Sequence, residues 1–216
     1  MIGFYDYTVI LTYLSLLSAM AGIGLSISGH PLLAILCLLF CGLCDMFDGR
    51  VARRKKNRTE TEKNFGIQID SLSDLVAFGV LPAVNIIVWC HRTWYACGLA
   101  AFYVLAGLIR LAYFNVTEEV RQKETDECRK AYSGLPITSS ALIFPVFFCF
   151  AGLFHNKVAF QLTLCGVMVL TGMCFILPFR IRKPHSRELW AIFAFGILVA
   201  AAILLFWLHG RYGLFR

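Results

Sequence analysis

The chain has 216 residues, 59% of them hydrophobic and 15% charged, with a mean hydropathy of +0.71. Soluble domains average about 45–50% apolar residues; the excess here falls in repeated runs of membrane-spanning length, which excludes a soluble globular protein and predicts an integral membrane one. The formal charge of +7 comes from 20 Lys and Arg against 13 Asp and Glu, but the basic residues cluster in short links between apolar runs, where topology and anionic lipid account for them without nucleic acid.

Residues 1–8, MIGFYDYT, lack a basic leader, so no cleavable signal peptide is expected, and Phe4, Tyr5 and Tyr7 suit the membrane interface. The first span falls at 9–28, with Thr12, Ser15 and Ser18 about one turn apart on one side. They serve either hydrogen bonding and close packing, aided by Gly22 and Gly24, or a polar pocket near the entry to the span. Gly29-His30-Pro31 predicts a tight turn into an antiparallel second span at 31–51. The polar stretch 52–65, ARRKKNRTETEKNF, reads as part helix and part loop. Further spans follow at 67–89, 94–114, 137–154 and 158–179, with a seventh at 189–208. Pro145 in the fifth removes an amide donor and predicts a kink. The expected fold class is all-α: a polytopic membrane bundle of six core spans plus the seventh, in one domain over 1–216.

Sixteen of the 20 Lys and Arg lie around 50–63, 110–130 and 180–187, which places those links and the amino terminus on the cytoplasmic side. Trp89, Trp94 and Trp207 would then mark the far interface and Trp190 the near one. Nine cysteines invite a redox or zinc reading, but Cys41-x-x-Cys44 lies inside a membrane helix with neither a second pair nor a nearby His. Small packing residues are the expectation.

Chemistry gathers in residues 45–74, DMFDGRVARRKKNRTETEKNFGIQIDSLSD. Asp45 and Asp48 close the second span at spacing i,i+3; Asp70 and Asp74 open the third at i,i+4. Each pair therefore shares a helix face, and a hairpin brings both pairs to one end of the bundle. Acids at such a place are costly unless paired, wet or metal-bound. Oxygen-only ligands favour Mg²⁺, Mn²⁺ or Ca²⁺ over zinc, and two such ions would suit a pyrophosphate. Helix-end acids complementing the dipole are the alternative, but that fits Asp70 near a helix start and not Asp48 near a helix end. Arg110 and Asn115 close the fourth span and Gly134-Leu135-Pro136 leads into the fifth, all at the same end.

The pattern Asp45-x2-Asp48-Gly49-x2-Ala52-Arg53, followed by Gly66-x3-Asp70-x3-Asp74, resembles the signature of the CDP-alcohol phosphatidyltransferases, membrane enzymes that displace CMP from a CDP-linked lipid with an alcohol. Between Arg53 and Gly66 the chain has twelve residues, three or four more than the family usually has, which implies a lengthened elbow. Three further stretches are most similar to bacterial and archaeal phosphatidylserine synthases: Phe65–Ala83, Arg110-Leu111-Ala112-Tyr113-Phe114-Asn115, and Gly134-Leu135-Pro136. At Tyr113 such members usually carry Arg.

The resemblance implies that Asp45, Asp48, Asp70 and Asp74 bind divalent metal, Mg²⁺ or Mn²⁺, as one or two ions, with Ca²⁺ able to occupy the site. Asp74 is implied as the base, and Asp45, Gly49, Ala52, Arg53 and Gly66 as the cradle for the cytidine diphosphate of CDP-diacylglycerol. Arg110, Asn115 and Gly134 are implied at the acceptor pocket, with L-serine as the acceptor, a homodimer as the assembly, and the active site facing the cytoplasm of a cell membrane. Glycerol 3-phosphate or an inositol phosphate is the alternative acceptor. The absence of Arg at 113 weighs against a phosphorylated alcohol, while Arg129, Lys130 and Arg182 keep it open. A small cation transporter is the reading from another class, but transporters gather their polar residues near the midplane and this chain gathers them at one end.

Overall fold

The computed structural model describes residues 7–54, 59–124, 131–154, 156–182 and 186–208. Its helices are α1 (Ile10–Ile27), α2 (Pro31–Arg54), α3 (Glu60–Asp74), α4 (Leu81–Trp89), α5 (Trp94–Glu124), α6 (Ser140–Cys149), α7 (Lys157–Ile176) and α8 (Ser186–Leu208). A π-helical segment, Leu75–Val80, joins α3 to α4 so that Glu60–Trp89 is one continuous rod. Among the described residues six helical segments are long and apolar enough to cross a membrane: Ile10–Ile27, Pro31–Gly49, Glu60–Trp89, Trp94–Val120, Lys157–Ile176 and Glu188–Leu205. The protein is an all-helical, multi-pass membrane bundle with one small β-ribbon.

The α1–α2 turn forms as expected. Gly29 adopts φ +87°, and the amides of Ser28 and His30 return to the carbonyls of Gly24 and Leu25 at 2.9 and 2.8 Å. A Cβ at Gly22 would lie 2.9 Å from Cys37 Cβ, so a larger residue would push these two helices apart.

Two expectations change in detail. The fifth apolar segment, Ile137–Leu153, is shorter than a full span. It has 3-10 turns at Ile137–Ser139 and Ala151–Leu153 around α6, and α6 itself runs on through Pro145. The greater rise of the 3-10 ends stretches it to about 27 Å, close to the thickness of a hydrocarbon core. Trp89, expected at an interface, is buried at 8% exposure against Phe148 and Phe160, each ring centroid 5.3 Å away. Trp94, five residues on, is 86% exposed.

Strands β1 (Ala131–Ser133) and β2 (Arg180–Arg182) pair antiparallel with Tyr132 opposite Ile181. The ribbon fastens the α5–α6 link to the α7–α8 link. Since α3 begins, and α2, α5 and α7 end, at this same end of the bundle, it is also the end that carries the acids.

Candidate active site

Asp45 and Asp48 occupy the later turns of α2, and Asp70 and Asp74 the last turns of α3. A carboxylate oxygen from each of Asp45, Asp70 and Asp74 lies within 4.8 Å of the other two. Asp48 stands within hydrogen-bonding reach of Asp70. Asp74 is the most enclosed of the four, at 8% exposure. The two sequence-distant pairs thus form one cluster. Carboxylates this close repel unless cations or protons lie between them, and a set of hard oxygen donors fits a divalent metal such as Mg²⁺ or Mn²⁺.

Three neighbours hold α3 and the π-helical segment after it in register. On a helical wheel Ser71 and Ser73 sit about 80° to either side of the midline through Asp70 and Asp74. Each can therefore reach a different flanking helix without leaving the acid face. Ser73, buried, donates to the carbonyl of Thr12 on α1 at 3.2 Å. Ser71 donates to Asn115 Oδ1 on α5 at 3.1 Å and accepts from Asn115 Nδ2 at 2.9 Å. The third neighbour is Tyr103, whose hydroxyl donates to the Phe78 carbonyl at 2.8 Å. Sequence reasoning assigned no role to Ser71, Ser73 or Tyr103. The signal for the serines was their symmetric placement between two acids.

Thr12 and Ser15 are both buried, so the polar side of α1 does face inward. Packing accounts for much of it: Ser18 donates to the Cys37 carbonyl and Cys41 to the Ser15 carbonyl, each at 3.2 Å. The Ser15 hydroxyl itself has no hydrogen-bond partner among the described residues.

Gly49 follows Asp48 on α2, and Gly66 lies one turn before Asp70 on α3. Ala52 and Arg53 belong to the last turns of α2; their side chains lie outside the described residues. The lengthened elbow is largely taken up by helix, since α2 continues to Arg54 and α3 begins at Glu60. Thr59 caps α3 reciprocally: its hydroxyl accepts from the Glu62 amide at 3.2 Å, and its amide donates to Glu62 Oε2 at 2.9 Å.

Arg110, Asn115 and Gly134 do not form one contact group. Five residues along a helix turn two side chains about 140° apart, so Asn115 meets α3 while Arg110 points toward the end of α7. Arg110 is 6% exposed; its Nε donates to the Leu135 carbonyl at 3.0 Å, and its guanidinium lies 5.7 Å from the centre of the Phe114 ring. Gly134 takes φ +78° and donates to the Phe179 carbonyl. A Cβ there would lie 3.1 Å from the Leu177 carbonyl and 3.6 Å from Arg110 Nε, so this turn admits only glycine without strain. Between Arg110, Tyr113 and the segment Phe175–Pro178 lies a pocket of about 270 Å³.

Residues 7–173 match the family described as CDP-alcohol phosphatidyltransferase. Three proteins named CDP-diacylglycerol–serine O-phosphatidyltransferase are similar to this chain. The one from Saccharomyces cerevisiae is 38% identical over 126 residues, covering 56% of this chain and 44% of that protein. The one from Helicobacter pylori strain J99 is 31% identical over 172 residues, covering 76% and 66%. The one from Methanocaldococcus jannaschii is 27% identical over 210 residues, covering 94% and 92%. The match thus spans less than two thirds of the first two relatives and nearly all of the third.

Proposed function

The chain belongs to the CDP-alcohol phosphatidyltransferase family, and from that premise we propose that it transfers the phosphatidyl group of CDP-diacylglycerol to the hydroxyl of L-serine, releasing CMP. The observation that carries the chemistry is the meeting of Asp45, Asp70 and Asp74 within 4.8 Å at one end of a membrane bundle. The serine acceptor is supported by the names of the similar proteins. It is also supported by Tyr113, which lines the pocket beside Arg110; among the described residues that line it, Arg110 is the one cation, where a phosphorylated alcohol would use a second.

In this reading the acyl chains stay in lipid, and Asp45, Gly49, Ala52, Arg53 and Gly66 cradle the cytidine diphosphate. Asp45, Asp48, Asp70 and Asp74 would hold divalent metal, Mg²⁺ or Mn²⁺, which when bound would supply charge neutralisation for the pyrophosphate and the departing CMP. Asp74 accepts the proton of the serine hydroxyl. The serine oxygen forms a bond to the lipid-side phosphorus as the bond from that phosphorus to the CMP oxygen breaks. Arg110, with Asn115 and Gly134 shaping the acceptor side, meets the serine carboxylate through a charge-assisted hydrogen bond. The concentration of basic residues in the same links orients this end to the cytoplasm, and the chain works as a homodimer of one-domain subunits.

The test is a product assay on the purified protein with CDP-diacylglycerol, Mn²⁺ and serine, glycerol 3-phosphate or inositol phosphate in turn. CMP release with phosphatidylserine formed only from serine is expected. Transfer to a phosphorylated alcohol instead would overturn the acceptor, and no CMP release with any alcohol would overturn the phosphatidyltransferase reading.

A further inference from the structure

The rod Glu60–Trp89 changes its winding immediately after Asp74. Up to Asp74 it is α-helical; from Leu75 to Val80 it is π-helical, with the Leu81 amide bonded to the Val76 carbonyl; from Leu81 it is α-helical again. The cause lies in Pro82. In an unbroken α-helix the amide serving the Phe78 carbonyl belongs to residue 82, and proline has none; its ring also collides with the carbonyl four residues back. Widening the turn moves that carbonyl off the ring. It also leaves the π register unable to continue, since the bond after Leu81 to Val76 would again need the amide of residue 82.

The Phe78 carbonyl is met from another helix. Phe78 and Tyr103 are both fully buried, and the Tyr103 hydroxyl on α5 donates to this carbonyl at 2.8 Å. The hydroxyl of Ser140, the first residue of α6, lies 2.7 Å from the same phenolic oxygen. The Tyr103 ring is wedged between Phe144 and Phe175, at centroid distances of 5.8 and 5.4 Å. One phenol therefore ties the π-turn to α5 and α6 at a point one turn beyond Asp74.

The consequence for the acids is rotational. A π-turn holds one residue more than the α-turn it replaces, so it sets α3 about 100° away from where a straight helix continuing α4 would put it. The apolar faces of Leu81, Ile86 and Trp89 can then stay in the core while Asp70 and Asp74, carried together on α3, face Asp45 and Asp48 on α2.

We propose that Tyr103, acting through the Phe78 carbonyl and the Pro82-induced π-turn, is a positioning residue that fixes the rotation of α3 at which Asp70 and Asp74 meet Asp45 and Asp48. The inference rests on the reading of that cluster as the metal and reaction site, and its test is built to fail separately from it. Tyr103→Phe, Pro82→Ala and the double variant are purified. Each is measured for Mn²⁺ dissociation constant by electron paramagnetic resonance without lipid substrate, for thermal midpoint without metal, and for kcat and KM.

Tyr103→Phe is expected to weaken Mn²⁺ binding about fivefold and lower kcat about tenfold, with the KM for serine changed less than twofold. Pro82→Ala restores an amide to the Phe78 carbonyl and lets the rod relax toward an α-helix. The double variant should therefore recover the thermal midpoint lost in Tyr103→Phe but neither its Mn²⁺ affinity nor its kcat. Recovery of all three would show that Tyr103 only satisfies an orphaned carbonyl, and would overturn the proposal. Should Tyr103→Phe not fold, Pro82→Ala alone decides: unchanged Mn²⁺ affinity and kcat would overturn it. Asp74→Asn separates the two readings. Full activity in that variant removes the base, while the Mn²⁺ titrations of Tyr103→Phe still judge the rotation.

Discussion

A polar cluster stands toward each end of this bundle, and both include residues of the rod that carries Asp74. At the far end Ser26 and Asn85 are 0% and 2% exposed; Ser26 donates to Asn85 Oδ1 at 2.9 Å, and Asn85 Nδ2 donates to the Pro31 carbonyl at 3.3 Å. Each of those bonds joins a donor to an acceptor, and the cluster stitches α4 to α1 and to the start of α2. At the near end Asp45, Asp48, Asp70 and Asp74 bring acceptors to acceptors. Ser26 and Asn85 are fully enclosed and the acids half-buried apart from Asp74, but what divides the two clusters is complementarity. A closed set of donors and acceptors rigidifies a core, whereas converging carboxylates leave a charge for something else to balance. The contrast separates a structural cluster from one able to hold a divalent metal, without reference to any relative.

The largest effect should come from breaking the near cluster. Asp74→Asn keeps the shape and removes the proposed proton acceptor, so transfer should fall about a hundred- to ten-thousandfold while CDP-lipid binding, followed by equilibrium retention of a labelled lipid, is largely kept. Near-normal CMP release from this variant would remove Asp74 as base. Asp45→Ala should lose Mn²⁺ affinity and rate together; a titration with unchanged affinity would remove Asp45 from the ligand set. Arg110→Lys comes next. Lysine keeps the charge but not the fork, and the serine KM should rise about tenfold, the worth of one charge-assisted hydrogen bond. An unchanged KM would take the carboxylate contact away from Arg110.

The far cluster should answer differently. Asn85→Leu leaves the Ser26 hydroxyl buried without its acceptor, which costs about 1–3 kcal/mol of stability. Mn²⁺ affinity and serine KM should not move. Pairing it with Ser26→Ala removes donor and acceptor together and should return much of the lost thermal midpoint. If Asn85→Leu instead weakened Mn²⁺ binding, the two clusters would be coupled along the rod and the contrast between them would fail.

What the sequence could show divides along the same line as local and distant contacts. The acid pairs were legible because acids at i,i+3 and i,i+4 beside long apolar runs are too costly to stand without a balancing charge. Gly29 was legible because a two-residue turn between antiparallel spans needs it. The π-turn was not. Pro82 announces a lost amide, but only the fold places Tyr103, 21 residues later in sequence, against the freed carbonyl. The ribbon of Ala131–Ser133 with Arg180–Arg182 was equally hidden, since three-residue strands separated by two helices leave no periodicity to read. Trp89 misled for a related reason. Its position at a helix end suggests an interface, and the aromatic side chains that enclose it, Phe148 and Phe160, come from two segments next to one another in sequence but distant from it.

The smallest effect sharpens the boundary between holding α3 and aiming it. Thr59 and Glu62 form a capping box eight and more residues from Asp70, on the exposed first turn of α3. Thr59→Ala removes an acceptor for the Glu62 amide and should cost about 1 kcal/mol. Because Ser71, Ser73 and the Phe78 carbonyl are anchored independently on α5 and α1, fraying at the start of α3 should stop before Asp70. The thermal midpoint should drop slightly with Mn²⁺ affinity and kcat unchanged. A parallel fall in Mn²⁺ affinity would mean that the acid face is held from the elbow rather than from the helices beside it.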